Sequence, residues 1–138
     1  MSTQLNPYLG FRDTAREAME FYQSTFGGEL TVSTFRDFGM ETSPHEADRV
    51  MHAQLTTPGG LVLMGADAPD SVERNPGDSI SLSLSGDDAV ELTGYFDALA
   101  EGGHVAVPLL KAPWGDSFGM CVDRFGVQWM VNIAGGAS

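Results

Sequence analysis

The sequence runs through the same order of elements twice, and this internal repeat restricts what the chain can fold into. In the first half, Phe21-Tyr22 is followed by Gly27-Gly28 and an apolar segment. In the second half, Tyr95-Phe96 is followed by Gly102-Gly103 and another apolar segment. Each half is predicted to contain a strand, a helix that ends at the glycine pair, and three more strands. One such unit cannot normally bury its apolar face alone, so the two halves are expected to pair.

The helix of the first half is the clearest local prediction. Apolar residues recur at helical spacing from Ala15 to Phe26, and Asp13 or Thr14 is expected to cap the helix. Gly27-Gly28 ends it, because glycine adopts left-handed conformations without strain. The strands predicted for this half are 5–11, 29–38, 49–57 and 61–65. The stretch 66–78, rich in Asp, Pro and Gly, is predicted to be a linker.

The second half follows the same plan. Asp87 or Asp88 is expected to cap a helix that runs to about Glu101, where Gly102-Gly103 stops it. The strands predicted for this half are 79–85, 104–110, 117–122 and 127–133, with 134–138 as a frayed tail.

These elements predict an α+β fold of two βαβββ modules, whose curved, half-barrel sheets surround a cleft. The length of 138 residues suits a single domain over 1–138, with module one at about 1–66, a linker at about 67–78 and module two at about 79–134. Hydrophobic residues make up 42% of the chain and charged residues 19%, which is typical of a globular protein.

The chain is strongly acidic, with a formal net charge of −12 from 19 acidic and 7 basic residues. Nucleic acids and anionic membrane surfaces are bound through basic patches, so both are disfavoured as partners. Lys111 is the only lysine. We interpret the acidity as a contribution to solubility.

The single cysteine points to a reducing compartment. Cys121 has no partner for an intrachain disulfide, which fits the cytoplasm. It lies in the apolar run Phe118-Gly119-Met120-Cys121-Val122, so we expect a buried structural thiol and not a nucleophile. The first residues lack a basic region followed by an apolar stretch, and no signal peptide is expected.

Alternation along the strands indicates which side chains face the cleft. In the last strand Val127, Trp129, Val131 and Ile133 form an apolar face suited to packing under helices, and the intervening residues form a polar face. The fifth strand separates serines from leucines in the same way. The polar faces and the nearby loop give these candidate ligand-binding residues: Tyr8, His52, Gln54, Ser81, Ser83, Trp114, Gln128 and Met130. A serine face that meets only solvent is the alternative.

Two segments carry a family resemblance. The first begins with Asn6-Pro7-Tyr8-Leu9-Gly10-Phe11, and the second runs from Trp114-Gly115-Asp116 to the turn and strand at 123–131. Together they resemble PhnB-like members of the vicinal-oxygen-chelate superfamily. The resemblance covers nearly the whole chain and implies the glyoxalase/bleomycin resistance fold. It leaves function open, because the superfamily includes lyases, isomerases, dioxygenases, thiol transferases and drug-sequestering proteins.

The resemblance also locates the positions that hold metal in other members of the superfamily. The final ligand usually lies four residues after the turn glycine, here Gly126, and this gives Met130. Matching the inward faces of the other strands gives Asn6, Met64 and Ser81. Divalent metals in this fold need imidazole or carboxylate donors, which these four residues lack. We therefore expect no metal and no other cofactor.

Two residues leave alternatives open. His52 alternates with Gln54 and Thr56, and is either a half-buried histidine bonded to a neighbouring strand or a ligand contact or general base. Trp114 either plugs the end of the sheets or forms a lid that stacks on a flat ligand.

The leading hypothesis is a metal-free small-molecule binding or sequestering protein that prefers neutral or cationic ligands. The first alternative is a glyoxalase-like lyase or isomerase, with His52 as base or with a non-standard metal site. The second is a structural or regulatory dimer without ligand. A homodimer is expected in each case, because paired modules can exchange between chains.

Overall fold

The computed structural model describes residues 3–40, 43–73, 75, 77 and 79–135. The chain divides into two compact units, Met1–Pro76 and Gly77–Ser138. Parts of the predicted linker (residues 74, 76 and 78) and of the predicted tail (136–138) lie outside the described residues. Neither helix of the described part is long and apolar enough to cross a membrane.

Unit 1 contains one helix and one four-stranded sheet. Its elements are β1 (Tyr8–Phe11), α1 (Ala15–Phe26), β2 (Glu29–Thr34), β3 (Val50–Thr56) and β4 (Val62–Asp67). The strands are ordered β1-β4-β3-β2, with β1 parallel to β4 and the other pairs antiparallel. One face of the sheet packs on α1 through fully buried side chains such as Phe11, Met19, Tyr22 and Leu55.

Unit 2 repeats this arrangement. Its elements are β5 (Leu82–Gly86), α2 (Ala89–Ala100), β6 (His104–Lys111), β7 (Ser117–Val122) and β8 (Gln128–Ile133). The strand order is β5-β8-β7-β6, with β5 parallel to β8. Leu92, Phe96 and Leu99 of α2 are buried, as are Trp129, Val131 and Ile133 of β8. The predicted α+β class with two βαβββ modules is confirmed, and so is the apolar face of the last strand.

The glycine pairs have a second role besides ending the helices. A Cβ on Gly28 would lie 2.2 Å from the carbonyl oxygen of Thr56, and a Cβ on Gly103 would lie 1.9 Å from that of Val122. At both sites the chain leaving the helix crosses close to the end of the third strand of its unit. The repeated second glycine is therefore explained by a close backbone approach in each unit.

The predicted element ends were wrong at several places in unit 1. β1 begins at Tyr8 and not at Leu5, and β2 ends at Thr34, after which 36–38 form a 3₁₀ turn. A second 3₁₀ turn, Pro44–Glu46, precedes β3. β4 continues to Asp67, two residues into the predicted linker. The ends of a strand depend on its pairing with a neighbouring strand, which local propensity does not determine.

Asp67 replaces the predicted cap of α1. Asp13 lies outside the helix with a positive φ of 71°, and the Thr14 side chain makes no capping bond. Instead the buried Asp67 carboxylate accepts hydrogen bonds from the backbone N–H of Ala15 at 3.0 Å and of Val50 at 2.9 Å. In unit 2 the expected cap is present, since the Asp88 carboxylate accepts from the Glu91 N–H at 3.0 Å. β5 begins at Leu82, so Ile80 lies before it and is 77% exposed.

Candidate functional site

The sheet face of unit 1 that points away from α1 carries a connected polar group. The Tyr8 hydroxyl lies 3.1 Å from His52 Nδ1, and the two rings are 5.7 Å apart between centroids. Tyr8 is 54% exposed and His52 is half-buried. The hydrogen bond fixes the orientation of the imidazole, so the face presents a phenol and an imidazole in a defined arrangement.

Met64 joins this pair to Gln54. In the sheet register Tyr8 is opposite Met64 on one side, and Gln54 is opposite Met64 on the other. Gln54 Nε2 also donates to Thr56 Oγ1 at 3.3 Å. The unit 1 face, which we define as Tyr8, His52, Gln54 and Met64, thus combines hydrogen-bonding groups with an aromatic ring and a thioether.

Sequence reasoning predicted three of these four residues as ligand contacts and considered Met64 only as a metal position. The alternation Val62-Leu63-Met64 in the sequence indicates that Met64 lies on the face opposite Leu63. Gly65, which has no side chain, ends this alternation after one period. Leu63 is buried and Met64 is half-exposed, which places their side chains on opposite faces of β4.

The corresponding face of unit 2 is less polar. Ser83 is opposite Met130, and Met130 is opposite Met120 in the next strand. The Ser81 hydroxyl lies 3.4 Å from Gln128 Oε1. We define the unit 2 face as Ser83, Gln128, Met130 and Met120, with Ser81 at its margin. It offers two thioethers where unit 1 offers one.

Trp114 lies in the turn between β6 and β7 and is 66% exposed. Its ring centroid is 6.4 Å from that of Phe118, and the planes are tilted by 60°. A ring this exposed does not plug the described part of unit 2. Asp116 braces the same region, accepting from Asn132 Nδ2 at 3.0 Å and from the Gly135 N–H at 2.8 Å. These two hydrogen bonds lower the pKa of Asp116.

The predicted metal positions were wrong in register at two of four places. Asn6 and Ser81 precede their strands, and the residues opposite Met64 and Met130 are Tyr8 and Ser83. The error arose because β1 and β5 begin two or more residues later than predicted. In unit 1 the facing pair Tyr8 and Met64 offers a phenol and a thioether, and in unit 2 the facing pair Ser83 and Met130 offers a hydroxyl and a thioether. Neither pair contains imidazole or carboxylate, so neither fits a divalent catalytic metal.

Among the described residues, His45, Glu46 and Asp70 form a group of three ligand-type side chains whose ligand atoms lie within 4.8 Å of one another. Asp70 is bonded to His45 Nε2 and, at 2.8 Å, to the Arg49 guanidinium, and Arg12 lies 3.3 Å away. The hydrogen bond from His45, followed by that from Arg49, lowers the pKa of Asp70 to about 2. Arginines already neutralise these carboxylates, so the cluster is an ion-pair network and not a cation site.

The His45 side chain is 61% exposed although it bonds to Asp70. His104 begins β6 and is exposed. The buried thiol predicted for Cys121 is confirmed: the residue is 2% exposed, and burial with the nearby Asp123 raises the pKa of the thiol to about 11. At neutral pH this group is protonated and a poor nucleophile.

Asp123 accepts three hydrogen bonds, from two backbone N–H groups of its turn and strand and from one side chain. One carboxylate oxygen accepts from the N–H groups of Phe125 and Val127 at 2.8 and 3.1 Å. The other oxygen accepts from the Trp129 indole at 2.8 Å. This buried carboxylate holds β8, and with it Gln128 and Met130, in register with the turn.

Comparison with known proteins agrees with this architecture. The sequence model of the family described as 3-demethylubiquinone-9 3-methyltransferase matches residues 3–132. The crystal structure of protein PA1353 from Pseudomonas aeruginosa is 39% identical, covers 98% of this chain and all of its own, and has a TM-score of 0.82. A putative 3-demethylubiquinone-9 3-methyltransferase, PhnB protein, from Bacillus cereus is 28% identical, with 96% and 100% of the two chains covered and a TM-score of 0.76.

A glyoxylase/bleomycin resistance protein/dioxygenase domain from Frankia sp. EAN1pec is 16% identical, with 100% of this chain and 96% of that chain covered and a TM-score of 0.66. At this identity the match shows the shared fold. The chain therefore belongs to the family described as 3-demethylubiquinone-9 3-methyltransferase, and it shares the fold of the glyoxylase/bleomycin resistance protein/dioxygenase domain.

Proposed function

We propose that this chain is a metal-free small-molecule binding or sequestering protein. The observation that carries the proposal is the Tyr8–His52 hydrogen bond beside Gln54 and Met64 on the exposed side of the unit 1 sheet. Small-molecule sites combine apolar or aromatic surface with a few fixed polar groups, which is the composition of this face. The candidate contacts in unit 2 are Ser81, Ser83, Gln128 and Met130, with Trp114 as a lid.

The preferred ligands in this proposal are neutral or cationic and carry a flat ring. Neither face contains lysine or arginine, and the net charge of −12 repels anions at long range. The exposed Tyr8 ring of unit 1 offers its face to an aromatic or cationic group, and the exposed Trp114 ring does the same separately in unit 2. The imidazole and the Gln54 amide would then select for ligand hydrogen-bonding groups.

The test compares naphthylmethylammonium, naphthylmethanol and naphthoate, which share one ring system and differ in charge. We expect the cation and the alcohol to bind more tightly than naphthoate in calorimetric titration, with shifts of the His52 imidazole resonances by NMR. Tyr8→Phe and His52→Gln should each weaken binding about tenfold, or about 1.4 kcal/mol. His104→Gln, an exposed histidine on β6, is the matched control and should leave affinity unchanged.

The proposal is contradicted if naphthoate binds best, or if His52→Gln and His104→Gln behave alike. Elemental analysis of untagged protein should show no stoichiometric zinc, nickel, manganese or iron. About one such ion per chain, removed by His52→Gln, would also contradict it and would favour a non-standard metal site.

The second candidate is a lyase or isomerase with His52 as general base. Tyr8 occupies Nδ1 of the imidazole, which leaves Nε2 as the nitrogen available to take a proton. Under this alternative, His52→Gln abolishes turnover while ligand binding weakens only moderately. Under the binding proposal no turnover is measured in the wild type.

We propose that the protein is a homodimer. Several apolar side chains are more than half exposed in the single chain, among them Leu110, Trp114 and Val90. Exposed apolar patches of this kind mark interaction surfaces. A sedimentation mass of one chain at micromolar concentration would contradict the proposal.

We also propose a cytoplasmic location. Cys121 is a free, buried thiol, and no other cysteine exists to form an intrachain disulfide. A disulfide-free chain of this kind is typical of reducing compartments. Cell fractionation with an antibody to the chain would test the location directly.

A further inference from the structure

Unit 2 contains a groove between the N-terminal half of α2 and the edge strand β6. Its volume is about 460 Å³. Apolar side chains of Phe96, Val105, Leu109 and Leu110 line it, together with Asp97 and Lys111. The groove lies on the helix side of the sheet, away from the candidate site on the other face.

The internal repeat shows that the equivalent place in unit 1 is closed. The two helices have 12 residues each, so Ala15 and Met19 of α1 correspond to Ala89 and Thr93 of α2. Ala15 and Met19 are fully buried, whereas Ala89 and Thr93 are exposed and line the groove. The first residue of the third strand differs between the units in the same direction. Val50 of β3 is 1% exposed, whereas Ser117 of β7 is half-exposed.

The difference follows from the connection before the third strand of each unit. In unit 1 this connection spans 35–49 and contains two 3₁₀ turns. Two residues of the connection, Glu46 and Ala47, are buried at 3% and 4% exposure. In unit 2 it is reduced to 112–116. Among its described residues, unit 2 therefore has no comparable segment to cover the start of its helix.

We propose that a second copy of this chain covers the groove, through a two-fold contact of unit 2 on unit 2. Around the groove, Val90 is 86% exposed, Leu110 67% and Val105 46%, which supplies apolar surface for such a contact. The proposal rests on the homodimer proposed above and names its surface.

Charge supports a second copy over an unrelated partner. Lys111 and Asp97 both line the groove, and neither forms an ion pair with another described residue. In a two-fold contact the same patch is used by both copies, so Lys111 of one copy can face Asp97 of the other. A patch with one cation and one anion is therefore self-complementary. Lys111 is the only lysine in a chain of net charge −12, and its place on this rim offsets repulsion between two acidic copies.

The proposed contact between the two copies is made by side chains of the groove and not by hydrogen bonding between their β6 edge strands. β6 is an edge strand that carries Pro108 and Lys111, and its pairing with β7 shifts register twice. Proline, lysine and bulges are the features that discourage edge-to-edge strand pairing. They leave the face between β6 and α2 as the accessible apolar surface.

The test is sedimentation equilibrium of the full chain across a concentration series. The wild type is expected to dimerise, and Leu110→Glu should raise the dimer dissociation constant by more than about tenfold. Lys111→Asp and Asp97→Lys should each weaken the dimer, and the double variant should restore it because the pair is reversed in both copies. Leu61→Glu, at a half-exposed leucine in unit 1, is the matched control and should not change the mass.

Circular dichroism and thermal melts of each variant check that folding is retained. A monomeric wild type overturns both this contact and the proposed homodimer. A wild-type dimer that Leu110→Glu leaves intact, or a double variant that stays weakened, overturns the contact while the homodimer stands. If the groove instead holds a small molecule, Leu110→Glu leaves the mass unchanged, which again overturns the contact.

Discussion

At the scale of single residues, buried carboxylates hold the turns of both units. Asp67 ties the start of α1 to the start of β3, and Asp123 ties a turn to the indole of Trp129. A buried acceptor with several N–H donors stabilises its loop more than an exposed ion pair does. The Asp-Arg-Phe-Gly turn around Asp123 is a local signal in the sequence, whereas the role of Asp67 was missed because its donors lie 17 and 52 residues away.

Asp70 gives a pH-dependent prediction at the same scale. Its pKa is lowered from 3.8 to about 2 by His45 and Arg49, so the folded state favours the charged form. A lowered pKa contributes stability that is present above pH 3.8 and is lost as the pH falls toward 2. Asp70→Asn should therefore be less stable than wild type near neutral pH, and the difference should shrink over that acidic window.

Urea unfolding at a series of pH values measures this difference. Asp48→Asn serves as control for the loss of one negative charge, because Asp48 pairs with Arg36 on the surface and is 78% exposed. A difference between Asp70→Asn and wild type that grows on acidification would refute the predicted coupling.

At the scale of elements, the helices were more predictable than the strands. Both helices begin and end within about one residue of the predicted bounds, because the apolar periodicity and the glycine pairs are local signals. The strand starts at Tyr8 and Leu82 depend on pairing with β4 and β8, which is a long-range property. The error in the strand starts also affected the candidate site. Alternation identified the faces of the strands, but not the pairing of Tyr8 with Met64 or of Ser83 with Met130.

Two glycines of unit 2, Gly94 and Gly103, allow the effect of an added Cβ to be compared at two places in the same unit. Gly103→Ala would place a Cβ 1.9 Å from the Val122 carbonyl oxygen, so the end of β7 must shift. We expect a loss of more than about 2 kcal/mol in the free energy of unfolding. Gly94 lies inside α2, where an added Cβ would meet no atom within 4 Å, and Gly94→Ala should gain about 0.5–1 kcal/mol.

Denaturant titration of the two alanine variants measures both effects. The same substitution is expected to have opposite signs at the two sites, because one glycine is required by a backbone contact and the other is not. Equal effects at Gly94 and Gly103 would show that the close approach does not constrain the fold.

At the scale of the whole molecule, the two halves of the repeat differ in the connection before their third strand and in the side chains of their sheet faces. Unit 1 carries a long β2–β3 connection anchored by Asp70, and a sheet face with a histidine. Unit 2 has a short connection, an open groove and a face with two thioethers. The element order predicted from the repeat therefore holds for both halves, while the chemistry of each half depends on what the repeat does not share.

The acidity of the molecule leads to the last prediction. With 19 acidic and 7 basic residues, folding brings like charges closer together, and this repulsion lowers stability at low ionic strength. Salt screens it, since the Debye length falls from about 30 Å at 0.01 M to about 3 Å at 1 M. The thermal midpoint at neutral pH should therefore rise with added potassium chloride. Near the pI of about 4.3 the net charge vanishes and the rise should disappear, so an equal rise at both pH values would refute the explanation.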